Sequence, residues 1–208
     1  MRPVLITAGA TRNRIDAMRY LSAFSSGSTG VWLADRLAAS ARVTLLGSAE
    51  ALLRTRAEHD RVEFGSTRDL MARMERWIED NPGGVVVHAA AVGDYEAAPY
   101  SGKLASGQDE LVIRLGPTPK IVDHVKRWDP SAFLVSFKAA PPETDAAELE
   151  RIARAQLERT ASDLVFANVL LRLTEDLLLV APDGTRRFAR REAALQALLE
   201  ALSAATAG

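Results

Sequence analysis

The sequence predicts an α/β domain, Rossmann-like and doubly wound, whose mostly parallel sheet carries a small antiparallel addition. Three observations predict it. Short β-branched and aliphatic runs alternate with helical patterns along the chain, the order that builds parallel sheets through crossover helices. The strand runs are apolar nearly throughout, as in strands covered on both faces. The length of 208 residues suits one unit with a substantial buried core.

PVLITAG (3–9) opens the chain as a strand. A long small-residue loop follows, and TGVWLADRLAAS (29–40) has helical spacing. RVTLLG (42–47) and RVEFG (61–65) read as strands, and TRDLMARMERWIED (67–80) as a helix stopped by Asn81-Pro82-Gly83-Gly84. GVVVHAAAV (84–92) is the fourth strand. Residues 93–117 break the alternation with a polar loop and then ELVIRL, an alternating strand. TPKIVDHVKRW (118–128) is helical, FLVSFKA (133–139) a strand, TDAAELERIARAQLERT (144–160) a helix and DLVFANV (163–169) a strand. DLLLVAPDGTRRF (176–188) predicts a hairpin turning at Asp183-Gly184. The final REAALQALLEALSAA is an amphipathic helix whose Leu/Ala face is expected to pack on the sheet. With no internal repeat and no linker, residues 1–208 are expected to form a single domain, bearing a flap at 93–117 and the hairpin at 176–188.

Composition removes several function classes. Lysine and arginine number 26 against 27 acidic residues, so charge points neither to nucleic acid nor to an anionic membrane. There is no cysteine, which excludes disulfides, thiolate metal sites and a cysteine nucleophile. His59, His88 and His124 lack ligand spacing, and no metal site is expected. No apolar run approaches the ~18–20 residues of a membrane span, and MRPVLITAG lacks a leader pattern, so a cytoplasmic protein is expected.

In open parallel sheets ligands bind beyond the carboxyl ends of the strands. The segments there are GATRNRIDAMRYLSAFSSGSTG, AAAVGDYEAAP and SFKAAPPET. Small side chains admit a ligand to the backbone, and a helix start preceded by Ser-Ser-Gly offers N–H groups to an anion. Ser25, Ser26, Gly27 and Gly30 are therefore either a phosphate cradle or a loop that merely turns the chain. A dinucleotide is not expected: Gly9 and the Gly27/Gly30 pair are separated by a long insertion, and strand two ends Leu46-Gly47-Ser48 without an acid. No P-loop motif occurs, and neither Tyr95 nor Tyr100 has the lysine four residues on that a short-chain reductase uses. Lys103, in a polar loop between Gly102 and Ser106, suits a triphosphate on a closing flap or is a solvated surface lysine.

Taken together, these pieces resemble the phosphopantothenate–cysteine ligase (phosphopantothenoylcysteine synthetase) family over nearly the whole chain, in the stand-alone form without the flavin-dependent decarboxylase domain. ITAGATRNRIDAMRYLSAFSSGSTG is similar to the opening pattern T-A-G-x-T-x-x-x-I-D-x-V-R-x-[IL]-[ST]-N-x-S-[ST]-G. VHAAAVGDY matches A-A-V-[AS]-D-[YFW], SGKLASGQDELVIRLGPTPKIVD resembles the flap lysine and the T-P-K-I helix, and LVSFKA and SDLVFAN match two further segments. The resemblance implies a ligase joining 4'-phosphopantothenate to L-cysteine in coenzyme A biosynthesis. The route is an acyl-nucleotidylate made with CTP or ATP and Mg²⁺, and the protein is expected to be a homodimer. It implies Lys103 as the catalytic flap lysine and Arg19, Ser25, Ser26 and Gly27 as substrate-binding. Gly9, Ala89, Ala90, Ala91, Asp94 and Phe137 become nucleotide-binding.

The chain also departs from the family pattern. Ala23 stands where the family has the asparagine tied to the acyl intermediate, and alanine has no donor. Gln156 and Thr160 replace two lysines of the nucleotide site, with Arg159 beside them as a replacement charge. Asn168-Val169 stands for an asparagine–aspartate pair. The alternative function is therefore a family-derived nucleotide-binding or acyl-activating protein, with another substrate or without the second half-reaction.

Overall fold

The computed structural model describes all residues except 99, 108, 173 and 174, of which the first two fall within the expected flap. Strand β1 is Val4–Ala8, followed by a hairpin of β2 (Arg12–Arg14) and β3 (Tyr20–Ser22) and by helix α1 (Ser28–Leu37). Next come β4 (Val43–Gly47), α2 (Ala49–Leu52), β5 (Asp60–Glu63), α3 (Thr67–Asp80) and β6 (Val85–His88). The middle holds β7 (Tyr95–Ala97), β8 (Leu115–Pro117), a 3-10 turn (Ile121–Asp123), α4 (Val125–Trp128) and β9 (Phe133–Ala140). The chain continues through α5 (Ala146–Thr160), β10 (Leu164–Val169), β11 (Leu177–Ala181), β12 (Gly184–Phe188) and α6 (Arg191–Ala207).

Among the described residues, eight strands form the main sheet in the order β12-β11-β10-β9-β6-β1-β4-β5. All pairs from β10 to β5 are parallel. Counting only these parallel strands along the chain, the order is 3-2-1-4-5-6, that of dinucleotide folds. Its switch point, where the order reverses, lies between β1 and β6. The hairpin β11–β12 adds antiparallel to β10 and extends the main sheet.

Alternate side chains feed two layers. Ile6, Val87, Val135 and Phe166 pack with Leu33 and Leu37 of α1 and Leu198 and Leu202 of α6. Leu5, Val86 and Leu134 face Leu70, Met74 and Ile78 of α3, and Val165 and Leu178 face Leu149 and Ala153 of α5. Burying each such leucine contributes about 1.5–3 kcal/mol, so these two layers dominate the fold's stability. The start of α3 is capped by Ser66 accepting from the Asp69 amide, and that of α5 by Asp145 accepting from the Glu148 amide.

Three expectations need correction. ELVIRL is not a strand: only Leu115–Pro117 pairs, with Tyr95–Ala97. Alternation supplies a face, but no long sheet edge receives it, and Val112 stays 71% exposed. The helix at 118–128 breaks into the 3-10 turn and the single turn of α4. The fourth strand ends at His88, beyond which Ala91 keeps one bridge to Ala10.

Candidate functional site

The site begins with glycine packing at the switch point. Gly27 precedes α1 with φ +72°, and a Cβ there would lie 2.7 Å from the Gly9 amide nitrogen. A Cβ on Gly30 would meet the Thr7 carbonyl oxygen and the Ala8 methyl, each at 2.8 Å. Only glycine lets α1 sit this close to the end of β1. Gly9, Gly27 and Gly30 thus pack as the glycines of a dinucleotide fingerprint do, with residues 10–26 looped out between the first and the rest. The insertion separates them in sequence, and the fold brings them together. The N-cap residue Gly27 has no side chain to cap α1 and the first turn holds no acid; the Ser28 amide donates to Ser26 Oγ at 3.4 Å. Ser25 Oγ accepts from the Gly27 amide at 3.3 Å, and Ser26 and Ser28 share a bond of 2.7 Å.

Beside it, the three alanines after β6 divide. Ala89 packs with the α1 layer and Ala90 with the α3 layer. The Ala90 amide donates to Thr7 Oγ1 at 3.0 Å and the Ala91 amide to the Gly9 carbonyl at 2.8 Å. Phe137 is half-buried on the α1 side, stacked on Phe166 with centroids 4.9 Å apart. Asn168 follows Phe166 at the next position on that face of β10. Arg191, at the start of α6, donates to Thr29 Oγ1 at 2.5 Å and lies over the Phe166 ring. His88, enclosed at the end of β6, has its pKa pushed down to about 4 by burial. It is a neutral partner of Thr7, 3.1 Å away, and not a phosphate-binding cation.

The next loop is clamped by buried threonines. Thr11 Oγ1 accepts from the Gly93 amide at 2.9 Å, and Thr118 Oγ1 donates to the Gly93 carbonyl at 2.6 Å. Asp94 then emerges exposed and pairs with Lys120 at 2.5 Å.

The 93–117 segment docks on the β1–α1 insertion. The Tyr100 amide donates to the Ile15 carbonyl at 3.0 Å, and the Ala17 amide to the Gly102 carbonyl at 3.0 Å. The Leu104 amide donates to Asp16 Oδ2 at 3.0 Å, and Arg19 Nη1 reaches the Leu104 carbonyl at 3.4 Å. Lys103 lies exposed within this docked stretch. Ala23 is exposed in the loop between β3 and α1.

Three predicted positions fall elsewhere. Gln156 and Thr160 are buried on the opposite face of the sheet. Gln156 Nε2 donates to Ser136 Oγ at 3.0 Å and to the Phe137 carbonyl at 3.1 Å, and Thr160 Oγ1 donates to the Gln156 carbonyl at 2.7 Å. Ser162 links Thr160 to Ser136. Where the family pattern has two lysines, an amide and a hydroxyl instead form a closed polar network with Ser136 and Ser162. Arg159 bridges to Asp123 of the 3-10 turn. Asp16, Lys120, Asn168 and Arg191 are polar groups at the site to which sequence reasoning gave no role, although Asp16, Lys120 and Asn168 stood in quoted motifs.

A cavity of about 980 Å³ contains none of the predicted site residues. It lies between the hairpin β2–β3 and the pair β7–β8, lined by Arg12, Arg14, Tyr20, Arg68 and Arg114.

Strand order and glycine packing define a doubly wound domain with a small-residue, serine-lined loop at its switch point. The chain belongs to the DNA/pantothenate metabolism flavoprotein C-terminal domain family, whose profile matches residues 1–185. It is 38% identical over 198 residues to the coenzyme A biosynthesis bifunctional protein CoaBC of Thermococcus kodakarensis, covering 90% of this chain and 47% of that protein. It is 31% identical to CoaBC of Escherichia coli over 177 residues, 83% of this chain and 42% of the relative. The chain thus spans about half the length of the curated relatives it matches. The DNA/pantothenate metabolism flavoprotein structure from Streptococcus pneumoniae superposes with TM-score 0.87 at 26% identity, covering 98% of this chain and 99% of that one. A Cab2 mutant in complex with phosphopantothenate-cysteine, 19% identical with TM-score 0.78 over 98% of this chain and 85% of its own, shares the fold.

Proposed function

We propose that this chain joins 4'-phosphopantothenate to L-cysteine in coenzyme A biosynthesis, through an acyl-nucleotidylate formed from CTP or ATP. Family membership and the CoaBC relatives support the reading. The observation that carries it is the serine-lined, glycine-led start of α1, packed on Gly9 at the switch point, with a lysine-bearing segment docked on the same β1–α1 insertion.

First, a carboxylate oxygen of 4'-phosphopantothenate attacks the α-phosphorus of the nucleotide, and pyrophosphate leaves as the bond to its bridging oxygen breaks. Next, the cysteine nitrogen attacks the acyl carbon. The amide forms, the nucleoside monophosphate departs with the acyl oxygen, and the nitrogen's proton passes to solvent. The chemistry needs positioned positive charge more than a protein nucleophile. Lys103 is the flap cation, Arg19 holds the acid, and the α1 amides with Ser25, Ser26 and Gly27 receive phosphate oxygens. Ala89, Ala90, Ala91 and Phe137 flank the nucleoside, and Asp94 contacts it. No three carboxylate or histidine side chains gather into a metal site among the described residues, and Asp94 is paired with Lys120. No built Mg²⁺ site is found among the described residues, so in this reading any such ion is carried by the nucleotide phosphates.

Residues 1–208 act as a single ligase-type unit in this reading, with 93–117 as flap and 176–188 as hairpin, in the cytoplasm. No helix among the described residues is long and apolar enough to cross a membrane. A homodimer is supported by the exposed Tyr20, Phe24, Tyr95, Tyr100, Val112 and Leu115, all on the β1–α1 insertion or the 93–117 segment. A second reading is favoured by Ala23, whose exposed methyl offers no donor: acyl activation without transfer to cysteine.

The test supplies CTP or ATP with Mg²⁺, 4'-phosphopantothenate and cysteine, and measures pyrophosphate and phosphopantothenoylcysteine. Equal amounts of both are expected. Pyrophosphate without the cysteine adduct selects the second reading, and neither product with either nucleotide sinks both.

A further inference from the structure

Both carboxylate oxygens of Asp16 are engaged, and they do different work. The residue is only 3% exposed. Its Oδ1 accepts from the Met18 amide at 2.8 Å and the Arg19 amide at 2.7 Å, closing the turn that carries Arg19. Its Oδ2 accepts from the Leu104 amide at 3.0 Å, across 88 residues of sequence, and pairs with Arg19 Nη1 at 2.5 Å. The Leu104 amide belongs to the peptide unit that follows Lys103, so the carboxylate grips the lysine's backbone and leaves its ammonium exposed. Its countercharge comes from Arg19.

We propose that Asp16 is the positioning residue that docks the flap, fixing Lys103 and Arg19 relative to each other before the reactants arrive. The proposal rests on the ligase reading, in which those two cations face the reacting groups. An ionised carboxylate accepts at all four contacts; an amide cannot. Asn at this position keeps an oxygen for the Met18 and Arg19 amides, but presents N–H₂ to the Leu104 N–H. Asp16→Asn therefore leaves the local turn intact and removes the cross-chain bond. The ordinary carboxyl pKa of 3.8 is lowered to about 2, first by the Leu104 amide bond and then by those of Met18 and Arg19 and the Arg19 charge, against desolvation.

The experiment compares wild type, Asp16→Asn, Leu104→Pro and Lys103→Ala for turnover, nucleotide KM and amide hydrogen exchange across 100–106. Leu104→Pro deletes the same N–H from the flap side and leaves Asp16 in place, so it decides the matter if Asp16→Asn does not fold. Asp16→Asn and Leu104→Pro are expected to lower kcat about 100-fold, as misplacement of a reacting group does, with nucleotide KM nearly unchanged. In Asp16→Asn, exchange at Leu104 accelerates. Wild-type kcat or unchanged protection at Leu104 in the folded variant overturns the proposal. If Lys103→Ala retains wild-type turnover, the ligase role of the flap falls instead, and Leu104 exchange alone judges the docking.

Discussion

The cleft beside α1 and the flap above the β1–α1 insertion are built on opposite principles. In the cleft, backbone meets backbone: Gly9, Gly27 and Gly30 close distances that any Cβ would violate. Alanines and a stacked Phe137–Phe166 pair complete the surface. In the flap, main-chain bonds and one buried carboxylate hold an otherwise polar segment whose apolar side chains, such as Val112, are exposed. The first is fixed by sterics and insensitive to charge; the second is held by charge-assisted bonds and is releasable. A nucleotide site benefits from the former, and a segment that must close over reactants from the latter.

The largest break in the comparison comes from Gly27→Ala. It forces a side chain into a left-handed backbone and against Gly9 and the Ala51 methyl. A loss of about 2–4 kcal/mol is expected from strain plus overpacking, read from the midpoint of urea unfolding, with nucleotide affinity lost in parallel. Lys103→Ala acts on the other region alone. It is expected to lower kcat by about 10²–10³-fold through lost charge stabilisation, while the unfolding midpoint stays at the wild-type value because the side chain is exposed.

Gln156→Ala removes a donor from the network joining Ser136, Thr160 and Ser162. It should cost about 1–3 kcal/mol of stability and leave nucleotide KM unchanged, since its amide faces α5 and β9 rather than the cleft. A raised KM with unchanged stability would return Gln156 to the nucleotide site. The smallest effect concerns pH. Because the Asp16 pKa is depressed to about 2, its docking contribution is complete above the ordinary carboxylate range and is lost as pH falls through about 2. NMR should show the Asp16 carboxyl and the Leu104 amide titrating together near that value. A midpoint near 4 would separate the carboxylate from the flap.

The sheet was legible in the sequence because buried parallel strands leave dense aliphatic runs, and each of the six aliphatic runs read as a buried strand is present in it. The hairpin at 176–188 was legible from Asp183-Gly184, whose turn requirement is local. ELVIRL misled because alternation records a two-faced segment and says nothing about an available edge. The mutual packing of Gly9, Gly27 and Gly30 was not legible, because fixed spacing cannot see through a looped-out insertion. Gln156 and Thr160 were assigned by position against a family pattern, yet shortening a lysine to an amide or hydroxyl lets the group turn inward and bond its neighbours. Asp16 escaped notice since a carboxylate beside an arginine looks like a surface pair, and only the fold brings Leu104 to it.

In the proposed function this cleft and flap activate a carboxylate on a nucleotide. The most direct measurement is a single turnover with CTP, Mg²⁺ and 4'-phosphopantothenate in the absence of cysteine, followed by quenching. A burst approaching one pyrophosphate per active site is expected, together with an acyl-cytidylate, and both bursts are strongly reduced in Lys103→Ala. No burst with CTP, and none with ATP in its place, would contradict it.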